Sequence, residues 1–198
     1  MNLPNKLTVF RIILVPIMVI IPFFNIQGSF LGVSITYLLI DLIFIIASIT
    51  DKLDGSIARK RNQITTFGKF LDPIADKILV LAALIMLVEF GKIPAWVPII
   101  IIFREFIVSG YRLVESQNEG TVIAASIWGK LKTVTQMIGV IFCYMDRGVF
   151  FECFKGTLTG IPLVINFLAT IFIIISVIAT IFSGIDYLKN GKDLFKDK

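Results

Sequence analysis

Residues 51–59 read DKLDGSIAR and residues 68–76 read GKFLDPIAD, and a long apolar stretch adjoins each segment. On a helix, Asp51 and Asp54 are i and i+3, while Asp72 and Asp76 are i and i+4, so each pair shares a face. Carboxylates this close to hydrocarbon are costly and typical of functional sites. If the two segments face each other, their oxygens form a site suited to a hard divalent cation. For any one of these aspartates taken alone, simple solvation at a membrane surface stays an alternative.

The composition indicates a polytopic integral membrane protein, because 57% of the 198 residues are hydrophobic and only 17% are charged. We expect an all-α fold in a single membrane domain, 1–198, with an interfacial segment at 1–6 and a polar tail at 189–198. Six transmembrane helices are expected near residues 7–24, 30–50, 67–90, 95–113, 127–145 and 158–182. The chain has no His, and Cys143 and Cys153 lack metal-ligand spacing, which argues against zinc and redox chemistry.

The basic residues predict the orientation in the membrane. Of the 19 Lys and Arg residues, all but Lys92, Arg147 and Lys155 fall near the termini, in 51–77 or in 104–132. By the positive-inside rule, both termini and the cluster of aspartates are then cytoplasmic, in a protein of the plasma membrane. Because the basic residues are scattered over span ends rather than gathered on one soluble face, we expect no nucleic-acid binding.

The spacing of the two segments resembles the complete signature of the CDP-alcohol phosphotransferase family: Asp51-x2-Asp54-Gly55-x2-Ala58-Arg59-x8-Gly68-x3-Asp72-x3-Asp76. That family transfers a substituted phosphate from a CDP-linked donor to an alcohol and releases CMP. The resemblance implies a homodimeric enzyme that uses Mg²⁺ or Mn²⁺, with two ions expected at the pyrophosphate. It also implies that Asp76 is the catalytic base and that the metal ligands are Asp51, Asp54, Asp72 and Asp76.

The donor nucleotide is expected against the small residues of the signature, Gly55, Ala58 and Gly68, which let a ligand approach the backbone closely. Tight helix packing is the alternative for these three. Arg59 suits a phosphate through its planar fork of donors, or serves only as a membrane anchor. Residues 4–11, PNKLTVFR, resemble the phosphatidylglycerophosphate synthase branch of the family and add Asn5 and Thr8 as nucleotide contacts. Helix capping is the alternative for both.

An anionic acceptor is indicated by four basic residues in or beside the spans, namely Arg104, Arg112, Lys130 and Lys132. A charge at this depth must pair or line a wet cavity. Arg104 could instead pair with Glu105 or Asp41, and the lysines could extend to the surface. Residues 104–112, REFIVSGYR, and 124–133, AASIWGKLKT, resemble the same synthase branch, whose donor is CDP-diacylglycerol and whose acceptor is sn-glycerol 3-phosphate.

The predicted function is a metal-dependent phosphatidyl transfer from CDP-diacylglycerol to glycerol 3-phosphate, giving phosphatidylglycerophosphate and CMP in phospholipid biosynthesis. One alternative within the family uses serine, inositol or a phospholipid as the acceptor. A cation transporter is the alternative from another class, since carboxylates inside membranes also line ion pathways. A transporter would place carboxylates near the midplane of several spans, whereas these are expected at the cytoplasmic ends of two. Asp41, in the middle of the second span, has no role assigned beyond an inter-helix hydrogen bond.

Overall fold

The chain is described from a computed structural model that covers residues 2–60, 66–117 and 127–190. Within these ranges it forms six α-helices, which confirms the predicted helical class: α1 Leu3–Ile20, α2 Ile35–Lys60, α3 Thr66–Glu89, α4 Trp96–Gln117, α5 Ile127–Met145 and α6 Ile161–Asn190. A hairpin of two short strands, β1 (Ser29–Phe30) and β2 (Val33–Ser34), precedes α2. Single 3-10 turns occur at Ile21–Phe24 and Glu152–Phe154.

Length and composition mark two helical segments of the described residues as able to cross a membrane, Asn5–Phe24 and Ile161–Lys189. The four helices between them carry the charged residues of the predicted site, such as Asp51, Asp76, Glu105 and Lys132. These charges lower the mean hydropathy of the four helices. Their length is comparable with the thickness of the hydrocarbon layer, since 20 residues of helix cover about 30 Å.

The prediction that the second helix begins near Phe30 is wrong. Residues 29–34 form the hairpin, in which Ser29 pairs with Ser34 and Phe30 pairs with Val33. Leu31 and Gly32, the two central residues, have φ values of 50° and 76°, as in a type I′ turn, whose twist matches that of paired strands. The chain therefore reverses before it enters α2 at Ile35.

The second, fourth and last helices are longer than predicted, and α4 ends at Gln117 instead of near residue 113. We expected the second span to end near residue 50 with Asp51 and Asp54 at its helical end, but α2 continues to Lys60, so both residues lie well inside the helix. At the other terminus α6 extends to Asn190 instead of ending near residue 182, and residues 191–198 of the predicted tail lie outside the described residues. Residues 3–6 continue directly into the rest of α1.

The helices pack around a core of fully buried apolar side chains, which includes Met18, Phe44, Leu79 and Leu87. The first helix packs against α2 and α3, while α6 packs against α4 and along α5. The two helices α5 and α6 approach very closely at Gly139, where an added Cβ atom would lie 3.1 Å from the backbone nitrogen of Ile173. A small residue at such a crossing is typical of packing between membrane helices.

A network at the end of the bundle opposite Asp51 joins the α3–α4 turn to the chain after α5. Lys92 Nζ donates to the carbonyl oxygens of Asp146 at 2.8 Å and Gly148 at 3.0 Å. Asn166 Nδ2 donates to Asp146 Oδ2 at 2.6 Å. Burial lowers the pKa of Lys92, opposed by the nearby Asp146. Burial also raises the pKa of Asp146, although hydrogen bonds from Gly148 and Asn166 counteract it.

Candidate active site

The first helix holds one carboxylate from each of the two signature segments. Thr8 Oγ1 donates a hydrogen bond of 2.6 Å to Asp72 Oδ1, and Arg11 Nη1 forms an ion pair of 2.7 Å with Asp51 Oδ1. Thr8 and Arg11 are i and i+3 on α1, so their Cβ atoms are only about 5–6 Å apart on one face. The contacts therefore bring Asp51 of α2 and Asp72 of α3 to the same face of α1, as expected if the two signature segments face each other.

Asp76 follows Asp72 by one helical turn on α3 and links this site to a second group of charges. Its carboxylate interacts electrostatically with Asp51 and Arg11, and also with Lys132 and Glu105. The last two residues belong to α5 and α4. Asp76 is thus electrostatically coupled both to the Arg11–Asp51 ion pair and to the Lys132–Glu105 ion pair.

The predicted metal ligands meet the chemical requirement for a hard cation, since every donor is a carboxylate oxygen. No group of three or more possible ligands is already gathered around one point among the side chains that the structure describes. The α2 backbone at Asp54 is helical, but the Asp54 side chain lies outside the described residues. The two described contacts from α1 orient Asp51 and Asp72, so the residues present are compatible with a bound divalent cation.

The residues predicted to contact the nucleotide occupy the starts and ends of three helices. Asn5 and Thr8 are buried within α1, and neither caps it, because the N-cap position is Asn2. The helix-capping alternative is therefore wrong for both. Gly68 is buried in the first turn of α3. Gly55, Ala58 and Arg59 lie on the helical backbone of α2, but details beyond that backbone lie outside the described residues.

Two of the four predicted acceptor residues are brought together by a carboxylate. Glu105 Oε1 lies 2.7 Å from Arg104 Nη1 and 2.7 Å from Lys132 Nζ. The alternative that Arg104 pairs with Glu105 is thus observed, and the same oxygen also binds Lys132. Lys130 is exposed whereas Lys132 is buried, as expected for residues two apart on a helix, which face different directions. The side chain of Arg112 lies outside the described residues.

Three contributors to this site were not assigned roles from the sequence. Arg104 Nη2 bonds the hydroxyl of Ser183, and its guanidinium lies 5.6 Å from the ring centroid of Tyr187. Both residues belong to α6, in which the sequence indicates no motif. Arg11 was visible as a charge inside an apolar stretch, which by itself requires a partner. That signal points to a buried ion pair but does not identify Asp51 as the partner.

Asp41 lies away from these contacts. It is buried, and its Oδ1 atom has no hydrogen-bond partner in the part of the chain that the structure describes. The inter-helix hydrogen bond expected for Asp41 is therefore not observed at that oxygen, and Asp41 does not pair with Arg104.

The helix bundle thus combines carboxylates on α2 and α3, contacted by α1, with the basic residues Arg104 and Lys132 of α4 and α5. The model of the CDP-alcohol phosphatidyltransferase family matches residues 1–182, and the chain belongs to that family, as its signature predicted. The chain is 51% identical over 144 residues to the CDP-diacylglycerol–glycerol-3-phosphate 3-phosphatidyltransferase of Bacillus subtilis (strain 168), covering 70% of this chain and 74% of that protein.

Other relatives extend the similarity over almost the whole chain. The protein of the same name from Haemophilus influenzae is 39% identical over 202 aligned positions, which cover 99% of this chain and 96% of the relative. A probable phosphatidylglycerophosphate synthase of Mycobacterium tuberculosis is 35% identical over 187 residues, covering 94% of this chain and 80% of the relative. The similarity therefore includes α6, whose residues contact Arg104.

Proposed function

We propose that this chain transfers the phosphatidyl group of CDP-diacylglycerol to sn-glycerol 3-phosphate, giving phosphatidylglycerophosphate and CMP. The observation that carries the proposal is the pair formed by Arg104 and Lys132 around Glu105, of which Lys132 and Glu105 also interact electrostatically with Asp76. It provides cationic donors for a phosphorylated alcohol close to a carboxylate able to accept a proton. The names of the relatives from B. subtilis and H. influenzae describe the same reaction.

In the proposed reaction the acceptor hydroxyl oxygen attacks the phosphorus atom that bears the diacylglycerol. A new P–O bond forms, the bond to the CMP phosphate oxygen breaks, and the hydroxyl proton passes to the Asp76 carboxylate. Arg104 and Lys132 hold the acceptor phosphate through charge-assisted hydrogen bonds, together with Arg112 and Lys130. Asn5, Thr8, Gly55, Ala58, Arg59 and Gly68 surround the nucleotide.

We propose that Mg²⁺ or Mn²⁺, as a pair of ions, is held by Asp51, Asp54, Asp72 and Asp76. Such ions neutralise the pyrophosphate and polarise the attacked phosphorus. The chain's own part is to orient the ligands, which Thr8 and Arg11 support through their contacts with Asp72 and Asp51. Asp76, the base that the family resemblance implies, is assigned the proton exchange with the acceptor, and its electrostatic interaction with Lys132 supports this role.

We further propose that all six helices cross the plasma membrane, with both termini in the cytoplasm, and that the enzyme works as a homodimer. Large apolar side chains are exposed on every one of these helices: Ile13, Leu42, Ile85, Phe103, Val134 and Phe167 are examples. Exposed apolar surface on all sides of a bundle is expected where lipid is the solvent. The CDP-diacylglycerol donor would reach the site from this lipid.

A panel of acceptors tests the proposal. Purified protein in detergent should release CMP from CDP-diacylglycerol with glycerol 3-phosphate, and hardly at all with glycerol, serine or inositol. Removing divalent cations with a chelator should abolish release, and Mg²⁺ or Mn²⁺ should restore it. Equal turnover with serine or inositol would reject the acceptor but keep the family, since the carboxylate segments are shared. No CMP with any acceptor, combined with cation flux in liposomes, would reject the enzyme.

A further inference from the structure

Glu105 has a geometry that the proposed reaction does not by itself require. A single oxygen, Oε1, bridges Arg104 and Lys132, each at 2.7 Å. Arg104 and Glu105 are neighbours on α4, whereas Lys132 lies on α5, so the contact between Glu105 and Lys132 crosses a helix interface. Two buried cations side by side repel each other, and an anion between them removes that repulsion and sets their separation.

Arg104 is also restrained on its other sides by α5 and α6. Its Nη2 atom bonds Ser183, and its guanidinium lies against the ring of Tyr187. Gly129 and Gly184 adjoin it, since a Cβ atom would lie 3.4 Å from Nη2 at Gly129 and 3.5 Å from Cγ at Gly184, which is ordinary van der Waals contact. The orientation of this guanidinium is therefore determined by groups from three helices.

The exposed fraction of the side chain differs among the three residues. It is 8% for Lys132, 12% for Arg104 and 23% for Glu105, so the cluster is most accessible from the surface at the Glu105 carboxylate. A purely structural ion pair between membrane helices would be closed on all sides, because unsatisfied charge in hydrocarbon is costly. Lys132 also interacts electrostatically with Asp76, which connects the opening to the proposed base.

From this geometry we infer that Glu105 is a positioning residue for the acceptor: its carboxylate sets the spacing and direction of Arg104 and Lys132, so that a phosphomonoester meets both donors at once. This inference rests on the proposed function. It adds to it a residue that does not itself bind phosphate. The donor lipid, with its nucleotide, is held by other residues, so Glu105 affects use of the acceptor and leaves use of the donor unchanged.

The test compares Glu105→Gln with Glu105→Asp in steady-state assays of CMP release that vary each substrate separately. Glu105→Gln should raise KM for glycerol 3-phosphate about tenfold or more, as expected when a charge-assisted contact is lost, with KM for CDP-diacylglycerol unchanged within about twofold. Glu105→Asp, which keeps the charge, should recover part of the loss. Binding of glycerol 3-phosphate to the purified variants, measured by calorimetry, should weaken in parallel. The matched control is Glu89→Gln, which removes an exposed carboxylate at the far end of α3.

Several results would overturn the inference. If Glu105→Gln lowers KM for glycerol 3-phosphate, Glu105 competes with the phosphate instead of positioning its ligands. An unchanged KM for the acceptor, or an equal rise in both KM values, also rejects a positioning role. If Glu105→Gln does not fold, the same two KM values are measured for Glu105→Asp and Ser183→Ala. A rise in KM for glycerol 3-phosphate alone supports the inference, and an unchanged value or an equal rise in both rejects it. If the wild-type protein releases no CMP with glycerol 3-phosphate, the proposed function itself fails and the inference fails with it.

Discussion

At the scale of single residues, the ion pair between Arg11 and Asp51 combines structural and functional demands. The Arg11 side chain has no exposed surface, and Asp51 Oδ1 lies 2.7 Å from its Nη1. Asp51 is at the same time a proposed metal ligand. Breaking a buried pair by removing one partner is more harmful than removing both, because the buried charge that remains is then less well compensated.

Asp51→Asn should therefore lower the free energy of unfolding by about 1.5–3 kcal/mol, the range for hydrogen bonds between charged groups, and should also abolish turnover. The double variant Arg11→Met, Asp51→Asn should regain much of the lost stability without regaining activity. Thermal melting in detergent and CMP release measure the two properties separately. A double variant as unstable as the single one would show that the pair does not explain the loss.

At the scale of helices, the close crossing of α5 and α6 is the contact most sensitive to added volume. Gly139→Leu forces a side chain against the Ile173 backbone, where even a Cβ atom would lie at 3.1 Å. Overpacking of this kind costs about 1–3 kcal/mol, so the melting temperature should fall. Because Ser183 and Tyr187 on α6 hold Arg104, a displaced α6 should also weaken use of the acceptor.

The matched control for this variant is Gly110→Ala on α4, where an added Cβ atom would meet no other atom within 4 Å. That change should leave stability equal or slightly higher, because alanine is favoured over glycine in a helix by about 1 kcal/mol. Equal melting temperatures for Gly139→Leu and the wild type would mean that the helices can separate at this crossing without penalty.

At the scale of the whole molecule, the proposed orientation in the membrane is argued from the distribution of basic residues over the two ends of the bundle. The end opposite the carboxylates carries Lys92, Arg147 and Lys155, and Lys92 is buried with its ammonium bonded to two carbonyl oxygens. This end therefore offers even fewer free positive charges than the sequence alone indicates, which strengthens the argument from the positive-inside rule.

A cysteine introduced by Lys155→Cys in a Cys153→Ser background should react with a membrane-impermeant maleimide on intact cells. A reporter that is active only in the cytoplasm should be active when it is fused at residue 198. The native Cys143 is buried and should not interfere. Labelling of position 155 only after the cells are made permeable, or an external reporter at residue 198, would contradict the six-span arrangement.

The sequence predicted the bounds of α3 and α5 closely, because apolar length and the polar breaks between spans are local properties. It placed α5 at residues 127–145 and α3 within one residue at each end. It missed the hairpin before α2, which depends on positive φ values at Leu31 and Gly32, and the continuation of α2 to Lys60. Polar residues after an apolar stretch mark the end of the apolar span, but they do not end the helix, because the helical hydrogen bonds continue through them.

By itself, the sequence determined the family and the identity of the candidate carboxylates, since fixed spacing on a helix dictates which side chains share a face. Only the tertiary structure decided which partners these residues meet. Thr8 and Asp72 are 64 residues apart and Arg104 and Ser183 are 79 apart, so their contacts depend on how whole helices pack. The same holds for Glu105, whose two cations lie on different helices. Local pattern identifies the chemical groups, whereas helix packing sets the distances at which they act.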